Sequence, residues 1–202
     1  MVPNQAGRFD CRIHEAAMTL PEVGPIVNQV FAGKSSLIHR DALIHLCRMA
    51  QTAPKGLLVE LGVYRGSSLA ALTLARDGLG ESIGVDDWSY PDPPDLLGKT
   101  LDTLTHNGVV AELLSMTSEE AAAQVPGPIA FLHIDANHTY EFVKKDIELW
   151  TPKVMPGGIV AFHDYGRHRA DIQVKQAVDE WQASEPWLML PEVLTTIGFR
   201  KP

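Results

Sequence analysis

The sequence has little cysteine and no long hydrophobic run, and each absence excludes a class of protein. Its two cysteines, Cys11 and Cys47, are too few for the disulfide framework of a small secreted domain. The first residues also lack a charged start followed by an apolar signal core. No apolar run reaches the length of a membrane span, since even the alanine-rich stretch from Leu69 to Ala75 is followed by Arg76 and Asp77. We therefore expect a reduced, cytoplasmic protein that does not enter a membrane.

Basic residues are also fewer than acidic ones. The chain has 17 lysines and arginines and 25 aspartates and glutamates, which gives a net charge of -8. A surplus of negative charge repels nucleic-acid backbones and anionic lipids, so neither is an expected partner. The 202 residues, 45% of them hydrophobic, suffice for a core and fall near the usual upper size of one domain. We expect a single domain over residues 1–202.

Proline and glycine interrupt the first 36 residues, whereas short apolar strands alternate with helical stretches from residue 37 onward. We expect residues 1–36 to form an arm or lid with at most short helical pieces, and residues 37–202 to form the core. Helices are predicted from Ser36 to near Pro54, over residues 140–150 and over residues 174–182. Predicted strands are Leu57 to Leu61, Ser82 to Asp86, Ala111 to Met116, Ile129 to Asp135 and Ile159 to His163, with two terminal strands around Pro191. This alternation predicts an α/β fold in which a parallel sheet carries helices on both faces.

A glycine-containing turn, VELGVYRG, follows the first predicted strand, and ligands of open α/β sheets bind at such strand ends. Gly62 and Gly66 remove side chains where a ligand must approach the backbone, after the acidic Glu60. The Gly-x-Gly-x-x-Gly pattern of dinucleotide sites is absent, which places NAD second. Asp86 ends the next strand 24 residues after Gly62, near the spacing at which an acidic side chain binds a ribose. Taken singly, a tight turn and a helix cap explain these features; together they favour a nucleoside cofactor.

This pattern resembles the class I S-adenosylmethionine-dependent methyltransferases, in which an acidic residue and glycines follow the first strand. The resemblance implies a Rossmann-like, doubly wound, mostly parallel seven-stranded sheet with a C-terminal antiparallel hairpin. It implies that Asp86 binds the ribose hydroxyls of the cofactor. Met116 stands where relatives often carry an acidic residue for the adenine amino group, so an apolar contact or a backbone amide would replace that interaction. The full set of residues that the resemblance places at S-adenosylmethionine is Glu60, Gly62, Tyr64, Gly66, Asp86, Asp87, Trp88, Ser115, Met116, Thr117 and Asp135.

The segments FLHIDANHTY and PGGIVAFHDYG form a second constellation, which resembles small-molecule O-methyltransferases that include metal-dependent sugar and catechol enzymes. The resemblance implies that Asp135, His163 and Asp164 hold a divalent metal, Mg, Mn or another, which lowers the pKa of an acceptor hydroxyl. A histidine ligand suits Mn, Fe or Zn better than Mg. The alternative is a metal-free site in which His163 and Asp164 orient the substrate.

His138 is the candidate general base that removes the acceptor's proton, and Asp135, three residues before it, is the second candidate catalytic residue. An imidazole titrates near neutral pH and needs little tuning for this task. Some metal-dependent sugar O-methyltransferases place their base at the matching histidine. The alternative is a helix N-cap built from Asn137, His138 or Thr139.

We therefore expect an enzyme that moves a methyl group from S-adenosylmethionine to a hydroxyl of a small molecule, such as a sugar or phenolic group of a secondary metabolite. The order of the two constellations along the chain predicts one shared cleft for cofactor and acceptor. The alternatives are an NAD-dependent oxidoreductase and a non-catalytic cofactor-binding module on the same fold. The sequence names neither the acceptor nor the oligomeric state, and a homo-oligomer stays open.

Overall fold

The computed structural model describes residues 19–32, 37–91, 94–167 and 169–202. In these residues the strands are β1 (Leu57–Leu61), β2 (Ser82–Asp86), β3 (Glu112–Ser115), β4 (Ile129–Ile134), β5 (Val154–Phe162), β6 (Leu188–Met189) and β7 (Ile197–Arg200). The helices are α1 (Val23–Phe31), α2 (Arg40–Thr52), α3 (Ser67–Ala75), α4 (Leu96–His106), α5 (Ser118–Gln124), α6 (Tyr140–Trp150) and α7 (Val174–Ser184). A turn of 3-10 helix, Thr151–Lys153, follows α6.

The strands form one sheet in the order β3-β2-β1-β4-β5-β7-β6. Strands β1 to β5 run parallel, whereas β7 is antiparallel to both β5 and β6. The chain thus builds the sheet outward from β1 on one side and returns through β4 to build the other side, which leaves a crevice at the carboxyl ends of β1 and β4. The predicted seven-stranded, doubly wound sheet with an antiparallel C-terminal hairpin is confirmed.

Side chains of the central strands alternate between two core layers. In β1, Leu58 packs into the layer that includes α1, α2 and α3, whereas Val59 and Leu61 pack into the layer that includes α5, α6 and α7. All six residues of β4 are buried, as expected of a parallel strand covered by helices on both faces. Because helices cover the faces, the ends of the strands are where a ligand can reach the sheet.

The predicted strand and helix positions are largely confirmed, with shifted ends. Helix α2 begins at Arg40 rather than Ser36, because the His39 side chain accepts the N–H of Asp41 and caps the helix there. Strand β3 is shorter than predicted, and β4 ends at Ile134, one residue early. Strand β5 begins at Val154 rather than Ile159 and ends at Phe162. Its glycines stay in the sheet, since Gly157 N–H donates to the Lys201 carbonyl at 3.0 Å.

The predicted N-terminal arm is only partly described, because residues 1–18 and 33–36 lie outside the described residues. In the described part, α1 buries Val23, Ile26, Val27 and Val30 in the same core layer as α2 and α3. None of the helices in the described residues combines the length and the apolar character that crossing a bilayer requires.

Candidate functional site

A cavity of about 710 Å³ opens at the carboxyl ends of the parallel strands. The loops after β1, β2, β3, β4 and β5 all contribute to its lining, so it occupies the crevice that this topology creates. The predicted site residues that line it are Gly62, Tyr64, Asp86, Asp87, Met116, Thr117, Asp135, His138, His163 and Asp164. Those that do not line it are Glu60, Gly66, Trp88 and Ser115. The two constellations read from the sequence therefore meet in one cavity.

Asp86 ties together the ends of the first two strands. Its Oδ2 accepts the backbone N–H of Tyr64 and its Oδ1 accepts the backbone N–H of Trp88, each at 2.8 Å. The side chain of Trp88 packs against the core instead of lining the cavity. A carboxylate offers about four acceptor positions, so Asp86 can accept further hydrogen bonds from ligand hydroxyls in the cavity.

The close packing and the backbone conformation of the protein require glycine at positions 62 and 66, whether or not a ligand binds. A Cβ on Gly62, whose φ is +83°, would lie 2.1 Å from the carbonyl oxygen of Asp135, because the ends of β1 and β4 meet there. Gly66 caps α3 in the left-handed region, with φ +79°, and a Cβ there would meet Thr100 at 3.0 Å. Gly62 lines the cavity, whereas the role of Gly66 is to turn the chain into α3.

Glu60 lies in the core, contrary to the predicted contact with the cofactor. Its Oε1 is 2.7 Å from Nδ1 of His133 on β4, and both side chains are fully buried. Burial raises the pKa of the Glu60 carboxyl, and the hydrogen bond with His133 opposes that rise. The register of β1 against β4 places these two residues side by side. The side chain therefore belongs to a buried polar pair beneath the cavity.

The end of β3 supplies another wall of the cavity. Thr117 and Glu120 form a capping box at the start of α5, in which each side chain accepts the other residue's backbone N–H. Ser118, the first residue of α5, also lines the cavity and donates its hydroxyl hydrogen to the buried Asp146 of α6. Ser115, the last residue of β3, is exposed and does not line the cavity. The predicted contact segment is therefore shifted toward the helix.

Two histidines and two aspartates cluster at the ends of β4 and β5. His138 Nε2 lies 3.5 Å from Asp135 Oδ1 and 3.4 Å from Asp164 Oδ2. His163 Nδ1 lies 3.2 Å from Asp135 Oδ1 and 3.3 Å from Asp164 Oδ1. Of the three residues considered for the helix cap, the structure confirms Thr139 as the N-cap of α6, so His138 is not the cap. The imidazole of His138 is thus available to the cavity.

The cluster shifts the pKa values of Asp135, His138 and His163. Burial alone would raise the pKa of Asp135, but the His163 charge and the hydrogen bonds from both histidines hold that pKa well below its usual range. The hydrogen bond with Asp135 raises the pKa of His138 above its usual value. Burial opposes charge on His163, yet Asp135 and Asp164 raise its pKa as well. The site therefore favours the ionised form of the Asp135 carboxyl.

The donor atoms of the cluster fit a divalent cation. One ligand atom each from Asp135, His138 and Asp164 lies within 4.8 Å of the others. Asp164 Oδ1 is buried and accepts no hydrogen bond from the described residues, although Arg167 Nε is 2.8 Å away. The Arg167 guanidinium already compensates the charge of this oxygen, so the fit to a cation rests on the grouping of the three donor atoms. The three residues whose donor atoms come together are thus Asp135, Asp164 and His138, whereas the predicted third ligand was His163. The Nε2 atom of His163 lies 3.4 Å from the Thr195 hydroxyl.

Several lining residues were not predicted from the sequence. Leu37, Tyr90 and Phe142 line the cavity with largely exposed side chains, and the ring of Tyr90 packs edge-to-face on Tyr64 at 5.7 Å. Arg167 also lines it. Tyr90, Phe142 and Arg167 share a position in the loop or first turn after a strand end, which sequence cannot separate from ordinary surface, whereas Leu37 lies just before α2.

Comparisons with known proteins agree with this geometry. A family of methyltransferase domains matches residues 59–165, from β1 to just beyond β5. The chain belongs to this family of methyltransferase domains. That membership confirms the predicted S-adenosylmethionine-dependent methyltransferase class and disfavours the NAD-dependent alternative. The match covers both constellations and excludes α1 and the C-terminal hairpin.

Relatives of this methyltransferase-family chain differ widely in length and described chemistry. An uncharacterised protein of Sinorhizobium fredii is 31% identical over 143 residues, which cover 66% of this chain and 16% of that protein. An O-methyltransferase from Bacillus cereus, solved with S-adenosylhomocysteine, is 16% identical with a TM-score of 0.63, covering 92% of this chain and 94% of the other. A rRNA methylase from Streptococcus thermophilus is 19% identical with a TM-score of 0.60, covering 82% and 99%. At these identities the solved structures establish a shared fold and leave the acceptor to be argued from the site.

Proposed function

We propose that this chain transfers a methyl group from S-adenosylmethionine to a hydroxyl of a small molecule, such as a sugar or phenolic group of a secondary metabolite, with a divalent cation and a histidine base. The observation that carries this proposal is the cluster of His138, Asp135 and Asp164 in the same cavity as Asp86. One end of the cavity offers acceptors for a nucleoside, and the other offers a proton acceptor and ligands for a cation.

The nucleoside end is formed by the loops after β1, β2 and β3. Asp86 supplies carboxylate oxygens that are already oriented by two backbone N–H groups, so ribose hydroxyls can donate to them without rearrangement. Gly62 and the backbone of Tyr64 lie beside Asp86 and line the same wall. Met116 and Thr117 offer an apolar surface and a polar edge for the adenine. S-adenosylmethionine, when bound, supplies a methyl group on a positively charged sulfur.

The acceptor end has to hold a hydroxyl and remove its proton. Asp135 and Asp164 are the carboxylates that would bind a divalent cation, which when bound lowers the pKa of a hydroxyl beside it. His138 Nε2 faces the same two carboxylates and takes the hydroxyl proton as the oxygen forms its bond to the methyl carbon. The electron pair of the breaking carbon–sulfur bond stays on sulfur, so the reaction needs no covalent intermediate with the protein.

Size and charge favour a small acceptor over an RNA. A cavity of about 710 Å³ lies within the range of small-molecule sites and has room for a nucleoside and a compact acceptor. The net charge of -8 opposes binding of a phosphate backbone. The rRNA methylase from Streptococcus thermophilus has the same fold, but a shared fold does not by itself indicate an RNA acceptor.

Titration calorimetry and a methyl-transfer assay test the proposal. S-adenosylhomocysteine should bind and NAD should not, and methyl transfer to a panel of sugar and phenolic hydroxyls should stop in chelator and return when Mg or Mn is added. Binding of NAD in place of S-adenosylhomocysteine, or full activity in chelator, would contradict the cofactor and the metal respectively.

The role of His138 is tested by His138→Asn beside His106→Asn, an exposed histidine at the end of α4 outside the cavity. His138→Asn should lower turnover by about a hundredfold or more while S-adenosylhomocysteine still binds. Retained metal binding with lost turnover identifies a base, whereas lost metal binding identifies a ligand. An unchanged rate would assign the proton to another group.

A further inference from the structure

The loop between β5 and α7 carries two arginines that border the acceptor end of the cavity. Arg167 and Arg169 line the main cavity, and they also line a second, adjoining cavity of about 520 Å³. The loop is held in place at both ends, because Arg167 N–H donates to the Asp164 carbonyl and Gln173 N–H donates to the His138 carbonyl. The two ends of the loop are therefore anchored beside the proposed base and cation ligands.

These arginines stand out against the charge of the rest of the molecule. The chain has a net charge of -8, and the nucleoside end of the cavity carries the acidic Asp86 and Asp87. In the described part of the chain, the cationic side chains that line the main cavity, histidines aside, are Arg65, Arg167 and Arg169. Arg65 lies in the turn after β1, with its guanidinium 5.2 Å from the ring of Tyr64. The arginines on the acceptor side are therefore those of the loop after β5, where Asp135, Asp164 and Asp171 also line the cavity.

The second cavity continues outward from the two arginines. Its charged lining residues are Arg167, Arg169, Lys175 and Asp179, and Gln173 and Gln176 add amide groups. Lys175 is paired with Asp179 at 2.8 Å, whereas the partners of the two arginines, Asp164 and Asp171, do not line this second cavity. The combined surface runs from the proposed acceptor position to solvent.

Both guanidinium groups have hydrogen-bond donors to offer a ligand. Arg167 places Nε 2.8 Å from Asp164 Oδ1, and no other acceptor side chain of the described residues contacts its guanidinium. Arg169 is bound to Asp171 at 2.9 Å, and both side chains are about 65% exposed, at 64% and 65%. Exposed ion pairs contribute little stability, so an anionic ligand can replace Asp171 at small cost. Planar guanidinium groups bind carboxylate and phosphate oxygens through paired N–H donors.

We propose that the methyl acceptor carries an anionic group, a carboxylate or a phosphate, and that Arg167 and Arg169 bind it. This inference rests on the proposed function, because it names the class of acceptor for that reaction. Arg167 touches Asp164, a proposed cation ligand, so the anionic group lies close to the hydroxyl that is methylated. Compact hydroxy acids or hydroxylated phosphate esters fit this arrangement, and their neutral counterparts lose the charged contact.

Binding of matched probes tests the inference without requiring turnover. Calorimetry on the full chain in the presence of S-adenosylhomocysteine compares catechol with protocatechuate, and phenol with phenyl phosphate. Each anionic member should bind about tenfold or more tightly than its neutral partner, since charge-assisted hydrogen bonds are strong relative to neutral ones. A larger gain for the carboxylate pair identifies a hydroxy acid as the acceptor, and a larger gain for the phosphate pair identifies a phosphate ester.

Variants assign the preference to the loop. Arg169→Gln, at an exposed position where folding is not at stake, should reduce the preference for the anionic probe, and Arg167→Gln with Arg169→Gln should abolish it. Arg48→Gln, an exposed arginine of α2 outside both cavities, is the matched control and should retain it. Equal binding of neutral and anionic probes by the unmodified chain, or a preference that survives the double substitution, would overturn the inference. Preferential binding of protocatechuate by a chain that methylates no hydroxyl would instead refute the proposed function and leave the anion site standing.

Discussion

Asp146 gives the sharpest quantitative prediction, because it is a buried acid that the proposed reaction does not use. It lies on α6 with 3% exposure, accepts the Ser118 hydroxyl hydrogen, and sits beside Trp150, whose Nε1 donates to the Ser118 carbonyl at 3.2 Å. Burial raises the pKa of Asp146 from 3.8 to about 6, and the hydrogen bond from Ser118 opposes that rise. Keeping Asp146 ionised in the folded state therefore costs free energy.

The sign of the effect follows from linkage. Because the folded-state pKa lies above the unfolded value, Asp146 contributes stability that is fully present below pH 3.8 and is lost as the pH rises through about 6. The difference between the two pKa values corresponds to about 3 kcal/mol in the free energy of unfolding. Asp146→Asn removes the charge and keeps an amide oxygen for the Ser118 hydroxyl. We expect this variant to be more stable than the unmodified chain by about 1–3 kcal/mol near neutral pH.

Urea denaturation between about pH 4 and pH 8 measures the effect. The difference in unfolding free energy between Asp146→Asn and the unmodified chain should grow across this range and level off above about pH 7. Asp102→Asn, an exposed change on α4, is the matched control and should leave the pH dependence as it is. A constant difference between Asp146→Asn and the unmodified chain, or a variant less stable near neutral pH, would refute the reasoning.

Three further predictions follow from single contacts. Gly62→Ala places a Cβ 2.1 Å from the Asp135 carbonyl oxygen at a φ of +83°, and should lower the unfolding free energy by about 3 kcal/mol or more. The control is Gly24→Ala in α1, where a Cβ has nothing within 4 Å, and this variant should raise the unfolding free energy by about 0.5–1 kcal/mol. Equal denaturation midpoints for these two variants would contradict the close approach. Asp86→Asn should weaken S-adenosylhomocysteine binding by about tenfold or more in calorimetry, because it removes charge from the proposed ribose acceptor, and an unchanged affinity would move that role elsewhere. His133→Ala leaves a buried carboxylate without its partner and should destabilise the fold by about 3–5 kcal/mol in chemical denaturation, so a loss under 1 kcal/mol would show that the pair is not coupled.

Much of the architecture could be predicted because buried parallel strands leave a local signal. The runs that became β1, β2 and β4 are short, apolar and followed by turn residues, and each was located to within a residue. Element ends were harder, since the start of β5 at Val154 depends on pairing with Ile129 of β4, 25 residues earlier in the chain. Pairing over such distances leaves no local pattern.

The candidate site also has features that could be predicted from the sequence and features that could not. The sequence predicted that Asp86, Asp135 and Asp164 lie at or just after strand ends, and the strand ends of a parallel sheet share one edge, so their meeting in one cavity follows from topology. Sequence could not determine that Glu60 faces His133 inside the core, because that depends on the register between β1 and β4.

What the sequence by itself determined is the order of strands and helices, the family, and the residue types that gather at the sheet edge, since these depend on local hydrophobic pattern and chain order. Only the tertiary structure decided which side chains turn into the cavity. His138 joins the two aspartates, and Arg167 and Arg169 border both cavities, because loop conformation aims these side chains and no periodicity encodes it. The requirement for glycine at position 62 is also a tertiary effect, because β1 and β4 converge there in space.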